Sequence, residues 1–219
     1  MKTAVIAGTP VDTQMGVDLL KSRGVAAQGF PISRTPGEQT LFQVGSRSAR
    51  EKAVGAVLDS IRAQGMNRVL LYCNSLSATL DAHALGASRG MRIWTPMDVY
   101  GGIAKKYRRV GVLAANCQGV AGIERAMIGA SPGIVVIGAG VLPLVLGIEA
   151  GEPPETLAEA CGMFGLMHFF EKNGAEAVIL GCTHFPYIKK ALAAGTALPI
   201  IDPGEDLVEL VRIAAARDR

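Results

Sequence analysis

The chain has 219 residues, 49% of them hydrophobic and 19% charged, which supports one large core or two small ones and excludes intrinsic disorder. Twenty-two Lys+Arg against 19 Asp+Glu leave a net charge of +3, and no basic run exceeds a pair (Lys105-Lys106, Arg108-Arg109, Lys189-Lys190), so no nucleic-acid partner is expected. The four cysteines, at 73, 117, 161 and 182, lack the spacing of a zinc module or a secreted disulfide framework.

Short apolar runs alternate with longer stretches of helical period from end to end. In chain order, a strand at 3–7 leads to a helix at 13–23, and a strand at 25–32 to a helix at 48–64. Strands at 68–72 and 92–95 precede helices at 77–88 and 99–107. Strands at 109–114 and 133–137 follow, separated by a helix at 120–128 and succeeded by a helix at 154–173. Strands at 177–180 and 199–201 precede helices at 187–194 and 205–217. Strands this short and apolar are buried on both faces, so the expected fold class is α/β with a doubly wound, mostly parallel sheet. Residues 126–148 carry no charge, but five glycines, Pro132 and Pro143 suit a turn, strand and loop better than a membrane helix. The opening Met1-Lys2-Thr3-Ala4-Val5-Ile6-Ala7-Gly8 is too soon broken by glycine for a signal peptide, so the expected location is cytoplasmic, with no membrane partner.

A faint internal repeat divides the chain. Residues 3–9 read like 110–116, an offset of 107, and 69–75 read like 178–184, an offset of 109. Two strand pairs sharing nearly one offset imply two similar halves of about 100 residues. The expected division is 1–96 plus 202–219 for the first half and 97–201 for the second. The repeat puts one cysteine, Cys73 or Cys182, at the same position of each half.

Each of these cysteines ends a predicted strand and is followed by a hydrogen-bonding pair, Asn74-Ser75 or Thr183-His184. The carboxyl edge of a parallel sheet is where such folds bind ligands. Ser77 is a candidate N-cap and Pro186 suits a first helical turn, so the dipole of a following helix would favour thiolate at each. Inverting a carbon beside a carboxylate needs a base on one face and an acid on the other. A thiol, which ordinarily titrates near pH ~8.5, serves in either form. Cys117, in a loop-like Asn-Cys-Gln-Gly, and Cys161, within a predicted helix, read as small hydrophobes. His83 and His168 lie in helices and read as structural.

Leu180-Gly181-Cys182-Thr183-His184-Phe185-Pro186 closely resembles the second cysteine motif of the aspartate/glutamate racemase superfamily, and Tyr72-Cys73-Asn74-Ser75-Leu76-Ser77-Ala78 resembles the first. Pro199-Ile200-Ile201-Asp202-Pro203 resembles the segment that returns the chain to the first half. The resemblance implies two Rossmann-like halves with the active site between them, and an isomerase that interconverts L and D forms of glutamate or aspartate. It implies proton transfer by Cys73 and Cys182 with no cofactor and no metal, on a small amino acid or related carboxylate, in a homodimer. Asn74 and Thr183 would hold the substrate's α-carboxylate or amino group, with Ser75 and Thr9 as further binding residues. His184, in the glutamate-racemase-like form of the motif, would assist Cys182.

Two loops depart from that pattern. The family's Asp-Ser-Gly after the first strand is replaced by residues 8–16, in which Asp12 is the candidate carboxylate, or else an N-cap-type residue of the next helix. Asn116 stands where a threonine is usual and is a candidate donor to a carboxylate. Arg34, then Arg47, are candidate partners for a distal carboxylate, each also readable as an ordinary surface charge. The alternatives are another reaction of the scaffold, of hydantoin racemase, maleate isomerase or arylmalonate decarboxylase type, or a ligand-binding homologue without catalysis.

Overall fold

The computed structural model describes residues 2–217. Its elements, in chain order, are β1 (Thr3–Ala7), α1 (Pro10–Ser22), β2 (Ala27–Pro31), α2 (Pro36–Val44), α3 (Arg47–Ala63), β3 (Arg68–Leu71), α4 (Asn74–Ser77), α5 (Ala82–Ala87), β4 (Arg92–Trp94) and α6 (Met97–Ala104). There follow β5 (Arg109–Ala114), α7 (Cys117–Ala130), β6 (Val135–Gly140), α8 (Leu142–Glu149), α9 (Pro154–Ala160), α10 (Met163–Lys172) and β7 (Ala177–Leu180). A 3-10 turn (Phe185–Ile188), α11 (Lys189–Ala194), β8 (Ile200–Ile201) and α12 (Pro203–Arg217) complete the chain.

The strands form two four-stranded sheets, β2-β1-β3-β4 and β6-β5-β7-β8, and every pairing in both is parallel. The fold is therefore α/β, two similar halves each built on a parallel sheet. The chain divides into two compact units, residues 1–98 with 204–219, and residues 99–203. No helix among the described residues is long and apolar enough to cross a membrane.

In the first unit β1 and β3 are buried along their whole length. Alternate side chains, Ala4, Ile6, Val69 and Leu71, form one apolar cluster with Val54, Leu58 and Ile61, whose spacing makes one face of α3. Val5 and Tyr72 meet α1 on the opposite face. There a Cβ on Gly16 would lie 2.7 Å from the Tyr72 ring, so helix and sheet touch with nothing between them. In the second unit a Cβ on Gly111 of β5 would lie 2.7 Å from Phe170 of α10, a ring with no exposed surface.

The sequence pattern and the structure differ at four helices. The expected helix at 154–173 is two helices, because Gly162 between them takes a left-handed φ of 67°; Cys161 therefore caps α9 rather than sitting mid-helix. The expected helix at 77–88 is two short pieces, with Asp81 capping the second by accepting from Ala84 N at 3.0 Å. Ser77 is the last residue of the first piece, and its hydroxyl donates to the Cys73 carbonyl. Helix α8 falls in a stretch read as loop, and α2 in a stretch to which the sequence assigned no element. Cys117 is exposed and opens α7 rather than lying in a loop.

Gly111→Ala should destabilise the protein by about 1–3 kcal/mol through overpacking against Phe170. The added substitution Phe170→Leu should recover part of that loss in urea unfolding. Equal stability of wild type and Gly111→Ala would show that α10 yields freely.

Candidate active site

Both sheets share one strand order, and in each the connections from the first two neighbouring strands leave in opposite directions. In the first unit that reversal lies between β1 and β3, and in the second between β5 and β7. Open α/β sheets bind ligands at the carboxyl ends of such strands. Gly8-Thr9 follows β1 and Cys73 follows β3 by one residue; Asn116 follows β5 and Cys182 follows β7 at the matching places.

Asp12 is buried in the first turn of α1. Its carboxylate accepts from Thr9 N at 2.7 Å, Gly8 N at 3.2 Å and the Thr9 hydroxyl at 3.1 Å. These bonds fold residues 8–12 into a capped helix start. Thr9 and Asn116 are N-caps of α1 and α7, and Asn116 accepts from Gly119 N at 3.0 Å. The shared strand order thus gives the two residues the same local task.

Cys73 is 6% exposed, with an extended backbone, and its carbonyl accepts from Ser77 N and the Ser77 hydroxyl. The helix that follows it is a single four-residue turn, and Cys182 precedes a four-residue 3-10 turn. The turn after Cys73 is too short for a full macrodipole, whereas the turn after Cys182 runs on into α11. Around the Cys73 Sγ stand Gln39 Nε2 at 3.9 Å and Ser75 Oγ at 3.6 Å. Asn74, Ser75 and Thr183 are all buried beside the thiols.

Cys182 Sγ lies 3.6 Å from His184 Nδ1, and His184 Nε2 lies 2.9 Å from Glu149 Oε1. The His184 and Glu149 side chains are 6% and 13% exposed. A carboxylate at Nε2 keeps the ring proton there, which turns the Nδ1 lone pair toward the thiol. The order thiol, imidazole, carboxylate is that of an activated nucleophile or base. Glu149, the last residue of α8, is absent from the sequence-derived candidates. Its signal was its place as the carboxylate that ends the uncharged run 126–148.

The other residues singled out in the sequence have partners of their own. Arg34 is an exposed side chain that holds Glu38 through two guanidinium nitrogens, and Arg47 holds Glu51 through its Nε. His83 is bonded to Asp98 at 2.8 Å, and His168 is a surface residue of α10. Burial, followed by the nearby Glu152 carboxylate, pushes the Cys161 thiol above its ordinary pKa, which disfavours its thiolate. Among the described residues no group of three or more His, Cys, Asp or Glu is placed to hold a metal ion.

The family model for Asp/Glu/Hydantoin racemase matches residues 42–211. A glutamate racemase of Limosilactobacillus reuteri is 25% identical over 185 residues, covering 78% of this chain and 66% of that protein, just under two thirds of its length. The crystal structure of glutamate racemase from Francisella tularensis in complex with D-glutamate matches with a TM-score of 0.80 and 19% identity, over 99% of this chain and 81% of that one. Picrophilus torridus aspartate racemase matches with a TM-score of 0.71 and 18% identity, over 99% and 95%. At those identities the two structures establish a shared fold.

Asp12→Ala should lower stability by about 1–2 kcal/mol, since the amides of Gly8 and Thr9 lose their acceptor. A thermal melt unchanged from wild type would remove the capping role.

Proposed function

Because the chain belongs to the Asp/Glu/Hydantoin racemase family, we propose that it interconverts the L and D forms of an acidic amino acid, glutamate or aspartate, by moving a proton at Cα between two thiols, Cys73 and Cys182. The observation that carries this is the Cys182–His184–Glu149 chain, which supplies a thiol with the means to lose its proton. His184 Nδ1 takes the Cys182 proton while Glu149 stabilises the resulting imidazolium. The Cys182 thiolate removes the Cα proton from one face of the substrate, and the C–H electron pair passes into the α-carboxylate. Cys73 returns a proton from its S–H to the opposite face and becomes the thiolate. The reverse reaction runs through the same groups in opposite order.

Asn74 and Thr183, buried next to the two cysteines, hold the α-carboxylate and amino group in this reading. Their neutral donors stabilise the charge that develops on the carboxylate as the proton leaves. The D-glutamate carried by the Francisella tularensis structure supports an acidic amino acid as substrate.

Proton NMR in D2O with separate L- and D-glutamate and L- and D-aspartate tests the reaction. Loss of the Cα–H signal, with the other enantiomer formed and no cofactor added, is the expected outcome. Absence of exchange with all four substrates would overturn it. Cys73→Ala and Cys182→Ala should each lower inversion by about 10²–10⁴-fold, the usual contribution of a positioned acid or base. Glu149→Gln should act in the same direction by a smaller factor, and wild-type rates in either cysteine variant would exclude a two-thiol mechanism.

A further inference from the structure

Cys182 is served by an imidazole and a carboxylate, whereas the groups around Cys73 include neutral donors drawn from a helix that the hydrophobic pattern hides. Gln39 and Gln43 of α2 are one helical turn apart, on one face, and both side chains are buried. Buried carboxamides cost free energy unless bonded, and each of these is bonded in a way that aims it. The Ser33 hydroxyl donates to Gln39 Oε1 at 2.9 Å, which fixes the carboxamide so that Nε2 faces Cys73 Sγ at 3.9 Å. Gln43 Nε2 donates to Ser75 Oγ at 2.6 Å, which holds the Ser75 hydroxyl 3.6 Å from the same sulfur, where it can donate to a thiolate. The carbonyl of Gln43 in turn accepts from Arg50 Nη1 of α3 at 3.0 Å, tying the end of α2 to the next helix.

We propose that Gln39 and Gln43 are positioning residues that poise Cys73 as a thiolate, Gln39 by donating to its sulfur and Gln43 by orienting Ser75; this rests on reading Cys73 as a proton-transfer thiol. Donors to the charged form of an acid lower its pKa without adding charge. A neutral pair of donors favours the thiolate but does not lock it, so the sulfur can still carry a proton to the substrate. Several charged groups on the neighbouring elements have partners of their own. Asp12 of α1 accepts from Gly8 and Thr9, Glu38 of α2 from Arg34, and Arg50 of α3 donates to the carbonyls of Gln43, Gly45 and Thr79. The two thiols thus meet unlike groups, a carboxamide and a hydroxyl at Cys73 and an imidazole backed by a carboxylate at Cys182.

The test uses the full chain with Cys117, Cys161 and Cys182 changed to Ser, in which the ultraviolet absorbance of the thiolate reports Cys73 alone. In that background Gln39→Met, of similar shape but unable to donate, should raise the titration midpoint by about one pH unit. Gln39→Glu, of the same shape but offering negative charge, should raise it further. Gln43→Met should raise it by less than Gln39→Met. In a sister chain that keeps Cys182 and has Cys73 changed to Ser, the same substitutions should leave the midpoint where it was. Superimposed curves for Gln39→Met and its parent, equal shifts for Met and Glu, or a matching shift at Cys182 would each overturn the inference. Should Gln39→Met fail to fold, Ser33→Ala loosens the same carboxamide without touching α2, and an unmoved midpoint there is equally decisive against it. Racemase assays of the chain with all four cysteines separate the two claims. No racemisation with a shifted Cys73 removes the function and leaves the wiring; racemisation with an unshifted Cys73 does the reverse.

Discussion

Every strand pairing in both sheets is parallel, and that constraint governs where the polar chemistry of this protein stands. Parallel neighbours cannot be joined by a tight turn, so each strand must be followed by a helix that crosses back over a face of the sheet. All strands of a sheet then end at one edge, and their apolar lengths are sealed between helices. The polar residues that follow them, Gly8-Thr9 and Cys73 in one unit and Asn116 and Cys182 in the other, stand in each unit at the carboxyl edge of that unit's own sheet, the rim the crossovers leave for ligands. The identical order of the two sheets sets the thiols in equivalent positions.

The burial that this architecture enforces also explains why the polar groups come in connected sets. Asp12, Gln39, Gln43, Ser75 and His184 are all buried, where an unmet donor or acceptor costs more than the net gain from a met one. Each is consequently bonded, and bonding fixes its direction. His184 takes its tautomer from Glu149, and Gln39 takes its orientation from Ser33. Preorganisation of this kind is a by-product of satisfying buried polarity, and it is what proton transfer at carbon requires.

The α/β class and the two equivalent cysteines were legible because they rest on apolar runs and on spacing, which the sequence carries directly. Helix α2 was hidden because its buried residues are Gln39 and Gln43 while Leu41 and Val44 are exposed, so its apolar residues do not mark the face that packs inward. Its start was nonetheless written in Thr35-Pro36-Gly37-Glu38, a capping-box pattern with proline at the first helical position. Helix α8 failed for the opposite reason, since Leu142–Glu149 is apolar on nearly all sides and has no face to detect. The break at Gly162 depends on one left-handed backbone angle, and the shortness of the turns after the thiols depends on packing. Partners such as His184 and Glu149, separated by 35 residues, meet only through the fold.

The division of the chain into units carries a consequence for synthesis. Residues 99–203 form one contiguous unit, whereas the other is made of two segments, the second of which is α12. Leu207, Val208 and Val211 of that helix are fully or almost fully buried. On the ribosome, where domains fold as units in the order they emerge, the inserted unit is whole once residue 203 has cleared the exit tunnel. The unit that begins the chain is completed only when α12, made after that inserted unit, joins it. The usual amino-to-carboxyl order of maturation is thereby inverted, and Cys182 reaches a finished scaffold before Cys73 does.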